Sequence, residues 1–107
     1  MQKLNFPGVP VYMNGQNYYV PSLSMRQFRE NEAALKSLPE HGEGESEIDY
    51  AVRVQNAILP VVLLAIQRNY PDVTEDNLLD WLDNYTLMQA WRATQSASGM
   101  TPVNEGE

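Results

Sequence analysis

Residues 57–66 read Ala-Ile-Leu-Pro-Val-Val-Leu-Leu-Ala-Ile, ten residues in a row without a polar side chain. A helix that is apolar on every side is buried either by its own protein or by a partner. The stretch is too short to cross a bilayer, which takes about 20 residues. It therefore predicts the central helix of a small globular domain, and it raises the question of whether the rest of the chain covers that helix completely.

The composition indicates one domain and excludes several kinds of chemistry. The chain has 107 residues, which is the size of a single ordinary domain. It has no cysteine, which excludes disulfides, thiolate metal sites and a cysteine nucleophile. Acidic residues outnumber basic ones by 14 to 7, and no cluster of lysine or arginine stands out. We therefore expect no nucleic-acid partner, and without an apolar leader at the first residues we expect no membrane association.

Residues 9–20 predict a β-hairpin. Asn14-Gly15 is a strong hairpin signal, because both residues tolerate the positive φ that a type I′ turn requires. Tyr12 and Tyr19 then share one face of the hairpin, and five apolar side chains share the face that should dock on helices. These five are Val9, Val11, Met13, Tyr18 and Val20.

The first helix is predicted to begin at Ser24, which forms a capping box with Gln27 and follows the apolar residue of a hydrophobic staple. It should run as one helix up to Pro39. Its apolar stripe would comprise Met25, Phe28, Ala34 or Leu35, and Leu38. The segment 39–46 contains two glycines and three glutamates without an apolar anchor, and it predicts an exposed loop that proteases cut first.

The central helix should begin after Ser46, with acids in its first turn where the helix dipole favours them. Pro60 cannot donate to the carbonyl of Asn56, so we expect a kink or break that divides the helix into 47–59 and 61–70. Helical spacing relates Ile48, Ala51, Val52 and Gln55, which precede the apolar block, to Leu59 within it. Three residues of the block are predicted to be core: Ile58, Leu63 and Leu64.

Two further helices complete the prediction. Thr74 should cap the first, whose buried side would be Leu78, Leu79, Trp81 and Leu82. The second would bury Leu87, Met88, Trp91, and Thr94 or Gln95, and Ser98-Gly99-Met100 should close it as a Schellman motif. The predicted fold is mainly α (α+β), with four to five helices around a Pro-kinked central helix and an N-terminal β-hairpin. Residues 1–8 would form an arm, 9–100 the domain and 101–107 a disordered tail.

No catalytic or metal-binding signature is visible. His41 is the only histidine and stands in the loop without a nucleophile or second histidine nearby, so a solvated histidine is the better interpretation. The segment 72–83 has the acids of a calcium loop but lacks its glycine, and it fits a capped helix better. Asp76, Asp80 and Asp83 share a predicted helix face, as paired catalytic carboxylates might. Carboxylates on an exposed helix face are usually only solvated, and the sequence gives no sign of a pocket around them. We therefore expect a protein that is not an enzyme and has no cofactor or metal.

Several segments together resemble a known family across residues 9–100. A strand pair leads into 21–30, Pro-Ser-Leu-Ser-Met-Arg-Gln-Phe-Arg-Glu, and a long apolar helix follows. Then come 73–83, Val-Thr-Glu-Asp-Asn-Leu-Leu-Asp-Trp-Leu-Asp, and a helix that closes on Ser98-Gly99-Met100. This arrangement resembles the small tail assembly chaperones of long-tailed bacteriophages. The resemblance implies a non-enzymatic chaperone that coats apolar helical segments of the tape-measure protein in the host bacterial cytoplasm, with the tail-tube protein as a further partner.

Two alternatives stay open at this point. One is a small structural tail or head–tail joining protein that is retained in the virion, and the other is a small hydrolase or metal enzyme, which the sequence supports poorly. The residues predicted to contact a partner helix are Val62, Ile66, Trp81, Met88, Trp91 and Met100. The same residues could instead pack together or form a homo-oligomer. An apolar, acidic chain of this kind favours a protein partner over a nucleic acid or small molecule.

Overall fold

The computed structural model describes residues 5–100, and within that range it contains one β-hairpin followed by five α-helices. In chain order the elements are β1 (Gly8–Met13), β2 (Gln16–Pro21), α1 (Met25–Glu30), α2 (Glu32–Lys36), α3 (Glu47–Asn69), α4 (Glu75–Trp81) and α5 (Asn84–Ala97). The mainly α fold with an N-terminal hairpin is therefore confirmed. The predicted tail, 101–107, and the first half of the predicted arm, 1–4, lie outside the described residues.

The hairpin has the predicted turn, register and faces. Asn14 and Gly15 both have positive φ, 51° and 78°, and the two strands pair antiparallel. Val11 lies opposite Tyr18 on the face that is buried against the helices, while Tyr12 on the other face is exposed. Because the two faces alternate residue by residue, the one register that buries the valines also exposes the outer tyrosines.

The first predicted helix is split in two. The capping box of Ser24 and Gln27 is present as predicted, but α1 ends after six residues, and α2 begins after Asn31. The Asn31 side chain donates to the Gln27 carbonyl at 2.8 Å, so it competes with the backbone for a helical acceptor. The prediction that Met25 is part of a buried stripe is wrong, because its side chain is 76% exposed.

Helix α3 runs without interruption for 23 residues, so the predicted break at Pro60 is wrong and the predicted kink is not confirmed. Pro60 and Asn56 both lie on the exposed side of the helix. Water can therefore satisfy the Asn56 carbonyl that loses its intrahelical donor, and the helix continues at the cost of one hydrogen bond. Ser46 caps the helix through the Asp49 amide, as predicted.

The length of α3 exceeds that of its apolar block. By length and composition alone it could cross a membrane, since an 18-residue window has a mean hydropathy of 1.4. One third of that window is buried inside the protein. Its buried residues pack in the same core as the hairpin and α5, an arrangement found in the central helix of a globular domain.

The core lies where α3, α5 and the inner face of the hairpin meet. Ile58 is completely buried, which confirms its predicted place, while Leu63 and Leu64 are half-buried and pack against the same cluster. Tyr18 stacks on Trp81, with ring centroids 5.5 Å apart, and thereby ties the hairpin to the end of α4.

Helices α4 and α5 are capped as predicted, with one correction to their buried faces. Thr74 caps α4, but Leu79, predicted to be buried, is 60% exposed. Helix α5 ends in the predicted Schellman motif. The Met100 amide donates to the Gln95 carbonyl at 2.9 Å, and Gly99 has a φ of 84°.

Candidate functional site

Three of the six residues predicted to contact a partner lie inside the protein. Val62 and Ile66 are fully buried, and Trp91 is 3% exposed. They belong to the same core cluster, because the side of α3 that carries Val62 and Ile66 faces the hairpin and α5, and Trp91 is on α5. In this structure they offer no surface to another molecule.

The other three predicted residues, Trp81, Met88 and Met100, are half-buried and pack against the core. Trp81 is engaged by Tyr18, and Met100 closes the Schellman motif of α5. None of the three lines the cleft described next. Their contact with a partner stays a prediction.

A small cleft of about 120 Å³ opens where α3, α4 and the start of α5 meet. A hydrogen bond of 3.3 Å from Gln55 Nε2 to Asn84 Oδ1 links α3 to α5 at this point. The lining residues are Gln55, Leu59, Leu78, Leu79, Leu82, Asp83, Asn84 and Leu87.

A mainly aliphatic stripe on α3, interrupted by the polar Gln55, leads away from this cleft. Ile48, Val52, Gln55 and Leu59 are spaced by four, three and four residues and so share one side of the helix. The exposed fraction rises along the stripe from 7% at Leu59 to 45% at Val52 and 76% at Ile48. The first turns of α3 therefore present aliphatic side chains that the described residues leave largely uncovered. Leu79 adds a further exposed leucine at the cleft.

Carboxylates surround these apolar residues. Glu75, Asp76 and Asp80 are exposed neighbours of Leu79 on α4, and Asp49 lies between Ile48 and Val52 on α3. At helical spacing, each of these acids lies within about one turn of an apolar residue on its own helix.

One further carboxylate, Asp83, lines the cleft itself. The Thr86 hydroxyl donates to it at 2.6 Å and the Thr86 amide at 2.8 Å. The hydroxyl hydrogen bond, followed by the amide bond, holds the pKa of Asp83 below its usual range. The group thus stays ionised at neutral pH, and the cleft has a negative charge at one wall.

Two larger surface grooves differ from this cleft in charge. One, of about 520 Å³, lies between the start of α1 and the end of α5, and Arg29 is in its lining. The other, of about 580 Å³, lies between β1 and α5, and Arg92 is in its lining. Of these three depressions, only the α3–α4–α5 cleft is lined by an acid and by no lysine or arginine.

The loop 39–46 is held by polar contacts, although it lacks an apolar anchor. Arg53 Nε donates to Glu45 at 2.7 Å, and a terminal guanidinium nitrogen donates to the Glu40 carbonyl at 2.7 Å. The Tyr50 hydroxyl donates to the Pro39 carbonyl at 2.8 Å. The Arg53 hydrogen bond is the largest cause that lowers the pKa of Glu45, from 4.5 to about 2. The loop is therefore fastened to the first turns of α3.

His41 belongs to this fastened loop. Its Nε2 lies 3.0 Å from Glu47, and its ring centroid lies 4.7 Å from that of Tyr50. Within residues 5–100, no group of three histidine or acidic side chains is arranged to hold a metal ion. The calcium-loop alternative for 72–83 is wrong, because Thr74 caps a regular helix there.

Comparisons with protein-family models, with characterised proteins and with solved structures return no match. Function must therefore be argued from the residues themselves. Sequence reasoning placed Ile48 and Val52 on the central helix and assigned Leu79 to the core, but it did not identify their exposed surface. The 4-3-4 spacing from Ile48 to Leu59, with acids beside it, was the available signal.

Proposed function

We propose that the chain is a non-enzymatic assembly chaperone of a phage tail, which binds apolar helical segments of a tape-measure protein before the tail tube encloses them. The observation that carries the proposal is the exposure of three aliphatic side chains, Leu79 in the lining of the α3–α4–α5 cleft and Ile48 and Val52 on the stripe of α3 that leads away from it. These side chains are 76%, 45% and 60% exposed. Large aliphatic side chains exposed on neighbouring helices are typical of a surface that another protein covers.

The shape of this surface supports a helical partner. Helix-binding grooves accept anchors at positions i, i+3 or i+4, and i+7, and the stripe on α3 has the same spacing. The small cleft beside Leu79 and Leu82 offers a recess for one such anchor.

The charge of the chain supports a transient role. A net charge of −7 keeps a protein with exposed apolar surface soluble and separates its copies by repulsion. A chaperone must remain soluble both before it meets its client and after it has released it. In this proposal the protein acts in the cytoplasm of the host bacterium, with the tape-measure and tail-tube proteins as partners.

Coexpression tests the proposal. The chain is produced together with overlapping fragments of the long reading frame expected next to its gene, and the soluble fraction is analysed by affinity purification. We expect the most apolar fragments to become soluble and to co-purify with the chain. Fragments that stay insoluble and never co-purify would overturn the chaperone function. Mass spectrometry of purified particles separates the alternatives, since a retained structural protein is present in virions and a chaperone is not.

A further inference from the structure

We infer that the cleft and the adjoining stripe of α3 select an amphipathic helix that carries lysine or arginine beside its apolar stripe. The inference takes the helical nature of the partner from the proposed function and adds the partner's charge and the place where it is held. The binding surface, called here the α3 rail, consists of Ile48, Val52, Gln55, Leu59, Leu79 and Leu82.

The dimensions of the α3 rail define the length of the partner helix. From Ile48 to Leu59 the stripe covers twelve residues, and the eleven steps between them at 1.5 Å each give a length of about 16 Å, or three turns. A helix laid along it would place three or four anchors, and the anchor nearest the cleft would lie between Gln55, Leu79 and Leu82. The cleft of about 120 Å³ lies at this end of the rail.

The charges beside the α3 rail indicate which charge the partner helix should carry. Asp49 on α3 and Asp76 and Asp80 on α4 are exposed beside the apolar residues, and Asp83 lines the recess. Arg53, the one basic residue in the first half of α3, is engaged with Glu45 and with the loop backbone. A partner with lysine or arginine beside its anchors gains complementary charge, while an acidic partner is repelled.

The same charges disfavour a second copy of this chain as the occupant. Two copies joined through their α3 rails would bring the carboxylates of α4 close to those of the other copy. Repulsion between like charges weakens with added salt, because the Debye length falls from about 10 Å at 0.1 M to about 3 Å at 1 M. Self-association through the rail would therefore strengthen with salt, whereas binding of a basic helix would weaken.

Two synthetic helical peptides test the charge. Both have leucine at positions i, i+4, i+7 and i+11, and their other positions are filled with alanine and either lysine or glutamate. Binding of fluorescently labelled peptide to the full chain is measured by anisotropy at about 0.1 M and about 1 M salt. We expect the lysine peptide to bind, and we expect its binding to be weaker at the higher salt concentration. The glutamate peptide should not bind.

Exposed variants test the location without disturbing the core. Leu79→Ser and Ile48→Ser should each weaken the binding of the lysine peptide roughly tenfold or more, as loss of an interface anchor does. Met25→Ser is the matched control, because Met25 is as exposed as Ile48 and lies on α1. Circular dichroism verifies that each variant is folded.

Two double variants separate the effect of the carboxylates beside the α3 rail from the effect of the overall charge. Asp76→Asn with Asp80→Asn should weaken the binding of the lysine peptide and reduce the salt dependence of that binding. Glu30→Gln with Glu32→Gln removes the same number of charges on α1 and α2, which contribute no residue to the rail, and should leave binding unchanged.

The outcomes distinguish this inference from the proposed function. Equal binding of both peptides, or lysine-peptide binding that Leu79→Ser and Ile48→Ser leave intact, would overturn the α3 rail as the basic-helix site. Self-association that strengthens with salt and is lost in Leu79→Ser would identify a second copy as the occupant and would also overturn it. If tape-measure fragments still co-purify with Leu79→Ser, the chaperone function stands and only the assigned surface fails.

Discussion

The carboxamide of Asn69 bonds reciprocally to the backbone of Phe6. Its Oδ1 accepts from the Phe6 amide at 2.8 Å, and its Nδ2 donates to the Phe6 carbonyl at 2.9 Å. The same Nδ2 donates to the Tyr19 carbonyl at 3.0 Å. One buried side chain at the end of α3 thus holds both the segment before β1 and the second strand of the hairpin.

Replacing Asn69 by alanine should therefore destabilise the protein. The change leaves backbone groups of Phe6 and Tyr19 without their partner, and we expect the free energy of unfolding to fall by about 1–3 kcal/mol. Thermal and denaturant unfolding measure the loss. Asn56→Ala is the control, since Asn56 lies exposed on the same helix. Equal stability of the two variants would show that the Asn69 contacts do not hold the hairpin.

Core truncation should follow the burial gradient along α3. Ile58→Ala removes a fully buried side chain, and such changes usually cost about 2–5 kcal/mol. Leu63→Ala should cost less, because Leu63 is only half-buried. Val52→Ala should cost least, since Val52 is 45% exposed. Chemical denaturation of the three variants gives the order, and a different order would contradict the assigned core.

Replacing Pro60 by alanine should stabilise the protein. Alanine restores the amide that donates to the Asn56 carbonyl and is a better helix residue than proline by about 3 kcal/mol in a helix interior. Because the exposed helix already accommodates the proline ring, we expect a smaller gain, about 1 kcal/mol. The midpoint of thermal unfolding measures it. Pro71→Ala, outside α3, should give no such gain, and a loss of stability in Pro60→Ala would mean that the ring makes a needed contact.

Arg53 should control access to the loop 39–46. In Arg53→Ala the loop loses the contacts with Glu45 and with the Glu40 carbonyl, so a glutamate-specific protease should cut it faster than in the wild type. Arg26→Ala, an exposed arginine on α1, is the matched control. Mass spectrometry of the early fragments locates the cut, and an unchanged cleavage rate would show that Arg53 does not fasten the loop.

The contact between Glu45 and Arg53 should also depend on pH. The pKa of Glu45 is lowered from 4.5 to about 2 in the folded protein. Its stabilising effect is therefore complete above about pH 4.5 and is lost as the pH falls toward 2. The difference in thermal midpoint between the wild type and Glu45→Gln should shrink over that interval. A difference that stays constant down to pH 2 would contradict the assignment.

Local signals in the sequence predicted the hairpin, its register and most helix ends, because each depends on neighbouring residues. Asn14-Gly15 and Ser98-Gly99-Met100 are of this kind. The interruption at Asn31 was missed because a side chain that bonds four residues back leaves no mark in the hydrophobic pattern. The exposure of Leu79 was missed because apolarity alone does not reveal which face of a short helix is covered.

The candidate site depends on tertiary structure and was less predictable. Val62, Ile66 and Trp91 have the composition of an interface, but the packing of α3 against the hairpin and α5 buries them. Which part of an apolar helix stays uncovered is decided by the lengths and positions of the other elements. The sequence pattern shows the spacing of the stripe, but it does not show which of its residues stay exposed.

If the chain is a chaperone as proposed, the uninterrupted course of α3 links client binding to turnover of the chaperone. Its second half packs in the core and its first half carries Ile48, Val52 and Gln55 of the α3 rail, so a client on the rail would bind the folded chain and not the unfolded one. At a client concentration of about 100 times the Kd, the folded state gains about 2.7 kcal/mol. Copies without a client would unfold more often and be degraded first by host proteases. The amount of folded chaperone would then follow the amount of client protein that is still to be bound.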